Sequence, residues 1–306
     1  MRWIPAFLVF GALAPAAVLA DTAQFKPVAD TSIFEAEAPN NFGRQNSLPL
    51  GTVANQTASG RMLLRFDLSS LPTNAVITNV SLRITVLKQA QAPKAESVEA
   101  HRLIQPWGEG IKTGQLGALA SAGEADWTDR LKGQAAWAAP GGQAGTDFAT
   151  AASSSANLSV PANYTFNSTA TLVADVQAWL QNPADNFGWM LLNANESVRS
   201  SAKRVASREA TAAQQPLLTI GYSVPTPEPP APQFSRFALQ SGRLELGFHA
   251  EAGFIYTISF REAVDAGVWQ PLTNVVAKLQ PVDAVVTDAA DQAGRFYQVS
   301  ITGQVD

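Results

Sequence analysis

The chain has 306 residues, a net charge of −4 and no cysteine. Charged side chains are 15% of the total and form no basic stripe, which argues against nucleic acid as a partner. An anionic polysaccharide stays open, because local arginines can bind one on an acidic protein. Without disulfides the fold must be held by its core, and the length suits one large domain with a small one.

Met1–Ala20 reads as a secretory signal peptide. Arg2 gives the positive start and Ile4 to Ala14 an apolar stretch too short for an ordinary span. Val18 and Ala20 are the small pair that precedes cleavage, here before Asp21. An uncleaved anchor is the alternative. No later segment reads as a span or a C-terminal anchor, and the absence of cysteine suits bacterial export.

The residues that follow, 21–223, alternate with a period of two. Met62, Leu64, Phe66 and Leu68 share one strand face; Leu82, Ile84 and Val86 share another, with Arg83 and Thr85 opposite. Leu71-Pro72-Thr73-Asn74 is a turn between these runs. Gly108 to Ser155 is rich in Gly, Ala, Ser and Thr and reads as one long loop. Trp107, Trp127 and Trp137 punctuate it, so part of it is expected to fold back onto the domain. One helix is expected over Leu172 to Leu180, from Val173, Val176 and Leu180, stopped by Asn182-Pro183. Leu218, Ile220 and Tyr222 make a closing strand. The fold class is all-β: a jelly-roll-type antiparallel β-sandwich.

Residues 224–232 hold five prolines and read as a semi-rigid linker. The remainder, 233–306, alternates again at Leu244, Leu246 and Phe248, at Phe254, Tyr256, Ile258 and Phe260, and at Tyr297, Val299 and Ile301. A second, small immunoglobulin-like or fibronectin-III-like β-sandwich is expected there.

Several segments occur together in the first domain. They are Asn40-Asn41-Phe42-Gly43, Leu63-Leu64-Arg65-Phe66-Asp67-Leu68 and Pro106-Trp107-Gly108-Glu109-Gly110. Further on come Ala125-Asp126-Trp127, Trp137-Ala138-Ala139-Pro140-Gly141-Gly142, Asp175-Val176-Gln177-Ala178-Trp179-Leu180 and Ser207-Arg208-Glu209-Ala210. In this order and spacing the domain resembles the DNRLRE family. The resemblance implies a β-sandwich of secreted bacterial proteins, some of whose members are carbohydrate-binding modules attached to polysaccharide-cutting enzymes, alginate being the associated substrate. The chain departs from the family at Trp127-Thr128-Asp129-Arg130, where a Trp followed by Asn or Leu and then Tyr-Arg is common.

Catalysis finds little to work with. His101 and His249 are the two histidines, no Gly-x-Ser-x-Gly elbow occurs, and no histidine spacing suits a metal. Glu109, Asp126, Asp129 and Asp147 supply the carboxylates a glycosidase would need, and Tyr164, His101 and Arg130 the one combination near a lyase. The chain is therefore read as non-catalytic, with a small lyase or hydrolase and a purely structural matrix component as alternatives. The candidate sugar-binding residues are Trp127, Arg130, Lys132, Trp137 and Asp147: aromatic plates with planar hydrogen-bonding groups. Against this, both tryptophans also suit a role pinning the loop to the sandwich. Asp30 is a candidate calcium ligand, with no other cofactor expected. Arg65 and Asp67 are expected to pair with Arg208 or Glu209 in a structural ion-pair network, and Phe66 and Trp179 to lie in the core.

Overall fold

A computed structural model of the chain describes residues 20–55, 57–90, 94–225, 229–263, 267–289 and 295–305. The proposed signal peptide up to residue 19 and part of the proline-rich linker, 226–228, lie outside them. Two compact units meet in the chain at Pro225 and Thr226.

The first unit is an antiparallel sandwich, as the period-two pattern requires. One layer runs Pro27–Phe34, Ser59–Phe66, Trp189–Asn193, Glu96–Arg102 and Ser154–Leu158, each hydrogen-bonded to the next. The other runs Ala20–Phe25, Leu217–Ser223, Val76–Gln89, Lys203–Ala206 and Ser47–Thr52. Asn163–Phe166 also pairs with Val76–Gln89. The layers join where Gly51 and Thr52 pair with Gly60 and Ser59. Met62, Leu64, Phe66, Leu82, Ile84, Val86, Leu218 and Ile220 fill the space between them.

The helix spans Ala170–Gln181, starting earlier than its apolar spacing suggests because Thr169 caps it, Oγ1 accepting the N–H of Leu172 at 3.0 Å. Its buried face is Leu172, Asp175, Val176, Trp179 and Leu180. Trp179 meets Trp189 edge-on, with ring centroids 4.5 Å apart.

Before it enters the strand Ser154–Leu158, the segment read as one long loop carries short ladders, Asn40–Asn41 with Ala118–Leu119 and Asp129–Leu131 with Ala135–Ala136. It folds back on the outer face of the layer that contains Ser59–Phe66. There Trp107, Ala125, Trp127, Trp137 and Phe148 close a second apolar cluster with Ile33, Leu63, Leu103 and Met190. The strand Ser59–Phe66 is thus covered on both faces, Leu63 pointing into one core while Met62 and Leu64 point into the other. Gly141, at φ +87°, is required in this layer. A Cβ there would sit 2.7 Å from the Trp127 ring, and a positive φ strains any other residue.

Arg61, on the loop-facing side of that strand, ties the layer down. It forks onto Glu196, Nε to Oε1 at 2.8 Å and Nη2 to Oε2 at 2.6 Å, and donates from Nη1 to the carbonyls of Gly141 and Gly142. Its guanidinium lies 5.3 Å from the centre of the Trp127 ring.

The second unit has two antiparallel sheets. Phe234–Gln240, Arg243–Ala250 and Val282–Ala289 form one; Gln270–Ala277, Phe254–Arg261 and Phe296–Gln304 form the other. Leu244, Leu246, Phe248, Tyr256, Ile258 and Val299 make its core.

Removing Arg61 strands a carboxylate and two carbonyls in a partly buried setting. Arg61→Ala is expected to cost on the order of 3 kcal/mol and to lower the melting temperature of the first unit by roughly 10 °C. Arg61→Lys should fall between, keeping the charge without the fork. Differential scanning calorimetry reads both, and an unchanged transition for Arg61→Ala would remove this account of how the loop is held.

Candidate functional site

The loop candidates are placed as follows. Trp127 is 8% exposed and Trp137 4% exposed. Trp137 donates its indole N–H to the Asp126 carbonyl at 2.9 Å. Both rings lie in the apolar layer, so neither presents a free face on which a sugar could stack. Asp147 is 2% exposed, and its Oδ2 accepts the backbone N–H groups of Ala138 and Gln143 at 2.9 and 2.8 Å. Arg130 donates to the Pro106 carbonyl at 3.0 Å. Lys132 sits 2.8 Å from Asp126 Oδ2 and 2.9 Å from Asp129 Oδ2, and these hydrogen bonds raise its pKa. Burial works to raise the pKa of Asp126, but the bonds from Lys132, the Asp129 N–H and Thr128 outweigh it and hold the carboxyl low.

The groups named for catalysis are likewise committed to local structure. His101 is 5% exposed, with Nδ1 2.8 Å from the Ala149 carbonyl and Nε2 3.1 Å from Glu99. The Tyr164 hydroxyl accepts from Ser159 N–H and donates to the Val160 carbonyl.

Asp30 is fully buried. Its Oδ2 accepts the backbone N–H of Arg208 at 2.6 Å, while Oδ1 has no hydrogen-bond partner. Glu109 Oε1 accepts the Asp30 N–H, and Arg208 Nε stands 2.6 Å from Glu109 and 3.1 Å from Glu209. Glu109 and Glu209 thus share one guanidinium while Asp30 takes the backbone N–H of the same residue, so that Arg208 binds the loop, the first layer and the Ser207–Ala210 turn together. The expected calcium role of Asp30 does not fit this arrangement. Arg208 supplies the positive charge from within, and among the described residues no group of three or more His, Cys, Asp or Glu is arranged to hold a metal ion. The expected network of Arg65 and Asp67 with Arg208 or Glu209 is also replaced. Arg208 pairs with the two glutamates, Arg65 lies 5.9 Å from the centre of the Trp107 ring, and Asp67 accepts the Ser69 N–H at 2.9 Å.

Those two residues open instead on a cleft of about 380 Å³ at one end of the sandwich. The buried side chains of Phe66, Leu68, Trp179 and Leu180 lie behind it, and Arg65, Asp67 and Asn186 form its polar edge. The pairing of Pro27–Phe34 with Ser59–Phe66 slips between Pro27 and Ala29, and Val28, half-exposed, lines the same opening. Hydrogen bonds from Ser69 hold the Asp67 carboxyl below the usual range, so it is charged at neutral pH. Asn186 is fixed by its Nδ2, which donates to the Phe66 carbonyl at 2.8 Å. Phe66 and Trp179 are where the alternation and the helical spacing put them, in the core. That the core opens to solvent beside them depends on where the helix ends and the strand bulges, which no local pattern announces.

A family model, carbohydrate-binding module family 96, matches residues 21–113. The match supports a carbohydrate-binding module in this unit. It contains Val28, Arg65, Phe66, Asp67 and Leu68 of the cleft and ends before Trp127, Arg130, Lys132, Trp137 and Asp147. A search of curated proteins gave no match.

Burial, more than any neighbouring charge, lifts the Asp30 pKa well above the ordinary aspartate range. The native state therefore binds this proton more tightly than the unfolded chain does. The contribution is stabilising below the unfolded pKa and is lost as pH rises through the native one. Glu109 is raised by burial in the same sense. Asp30→Asn keeps an acceptor for the Arg208 N–H and removes the desolvated charge. Its urea midpoint is expected to gain on wild type between about pH 4 and pH 7; parallel pH profiles for the two proteins would contradict this.

Proposed function

We propose that the chain is an exported, non-catalytic polysaccharide-binding protein whose first unit is the binding module. The observation that carries this is the carbohydrate-binding family match, which spans strands of both layers of the sandwich. Two features support it. The carboxylates and the histidine of the first unit that chemistry would require are engaged in capping, ion pairs and loop closure. The strand Ala20–Phe25 pairs from its first residues, Asp21 opposite Tyr222, so a chain beginning at Asp21 keeps this ladder. The DNRLRE kinship, bacterial origin and an immunoglobulin-like or fibronectin-III-like second unit belong to the same proposal. So does alginate as one polymer to test.

Native gels cast with single polysaccharides test the binding. The purified chain is expected to be retarded by at least one and to release no reducing ends or unsaturated products from it. Retardation by none would favour the purely structural reading, and turnover would favour the lyase or hydrolase reading. Mass spectrometry of protein exported from a bacterial host is expected to show an N-terminus at Asp21; an intact Met1 in the exported protein would overturn the cleaved signal.

A further inference from the structure

We propose that the second unit carries a polysaccharide-contacting face of its own, centred on Arg261, and that this face takes a carboxylate-bearing sugar chain. It lies outside residues 21–113, so it does not draw on the family match. It adds a site in the second unit and does not place the site of the first.

The strand register puts the groups together. Tyr256 and Ile258 point into the core of the second unit, so Thr257, Ser259 and Arg261 point the other way, onto the outer face of their sheet. On one side Arg261 stands opposite Phe296. On the other side Phe260 pairs with Gln270, which brings Trp269 beside Arg261. The Arg261 guanidinium lies 4.5 Å from the centre of the Trp269 ring. An indole face holds a cation in place without neutralising it. Nε of Arg261 is buried with no hydrogen-bond partner, and among the described residues the ion pairs of this unit involve Arg236, His249 and Arg295 but not Arg261.

The outer face of the opposite sheet makes the contrast. There Arg236 meets Glu245 at 2.9 Å and His249 meets Asp283 at 2.7 Å, so its charges are answered from within. On the Arg261 side, among the described residues, the outward positions of the three strands carry hydroxyl, amide and apolar side chains and no acid. A half-buried guanidinium without an acid has lost part of its hydration. A planar carboxylate that accepts two parallel N–H bonds restores what it lost.

The ligand is a chain and not a single ring. Thr257 lies four residues back along the strand from Arg261, a span of roughly 13 Å. Its Oγ1 donates to Asn274 Oδ1 at 2.8 Å and meets Thr302 Oγ1 at 2.8 Å. With Oδ1 taken, the exposed Asn274 offers its Nδ2 donors to hydroxyl oxygens. Gln298, opposite Ser259, lies between the two ends. One end of this row suits a carboxylate and the other suits hydroxyls, which is the chemistry of a uronic acid polymer.

The test makes two measurements on the full chain. Indole N–H signals of isotope-labelled protein, with Trp269 assigned through Trp269→Phe, are followed as an oligogalacturonate, a neutral cello-oligosaccharide or a sulfated oligosaccharide is added. Affinity electrophoresis in pectate then compares wild type with Arg261→Gln, Arg261→Lys and the opposite-face control Arg236→Ala, with melting curves for each. Oligogalacturonate is expected to shift the Trp269 signal, less so as salt rises, while the neutral sugar leaves it in place. Retardation should fall roughly tenfold in Arg261→Gln. It should fall less in Arg261→Lys, which keeps the charge without the fork and so tests the site even if Arg261→Gln disturbs the fold. Arg236→Ala should match wild type. A Trp269 signal that oligogalacturonate does not move overturns the site, whatever the first unit binds. A shift as large with the sulfated sugar or the neutral one overturns the carboxylate class. Retardation by pectate that both Arg261 variants retain in full removes this face and leaves binding by the first unit standing. If no polymer retards wild type, the reading of the first unit falls, and the Trp269 signal still decides this one.

Discussion

The first unit depends on the Arg61 guanidinium, which holds a long irregular segment against a sheet without a disulfide. An irregular segment has few backbone partners of its own, so its carbonyls must be met by something else. Arg61 meets two of them, at Gly141 and Gly142, while Glu196 neutralises it and the Trp127 ring covers it. The charge is affordable there because every direction it faces is answered. Trp107, Trp127 and Trp137 then supply the apolar area that holds the layer in place.

This arrangement gives one strand two roles. Within Ser59–Phe66 the side chains alternate between the main core and the layer under the loop, which fixes its position from both sides. Its end, at Arg65, Phe66 and the residues just after it, emerges beside the helix and becomes an edge of the cleft. That end is stiff because the strand behind it is clamped twice. The carboxylates around Arg208 have a different task, joining the loop at Glu109 to the turn at Glu209 across the buried Asp30.

Much of the architecture was legible in the sequence, because alternation at Met62, Leu64 and Phe66 or at Leu82, Ile84 and Val86 reports directly which face is covered. The same pattern showed the two-sheet division of the second unit through Leu244, Leu246 and Phe248 against Tyr256 and Ile258. The tryptophan-bearing loop was expected to fold back, and it does. What could not be read was which polar groups meet across long separations. Arg61 and Glu196 are 135 residues apart, and nothing local to either signals the other. Arg208 was expected to serve Asp67 but serves Glu109, because the Ser207–Ala210 turn passes over Asp30 rather than over the end of the strand. Trp127 and Trp137 suit a sugar platform and a buried pin equally well by type, and only their surroundings separate the two.

The pairing of Ala20–Phe25 with Leu217–Ser223 has a temporal consequence. The opening strand of the unit finds its partner only after nearly the whole unit has been made, and among the described residues it has no other neighbour in the ladder. Closing so wide a loop costs entropy before any contact rewards it, so this edge is among the last parts to settle. During synthesis Ala20–Phe25 therefore stays without its ladder partner until the ribosome has all but finished the unit.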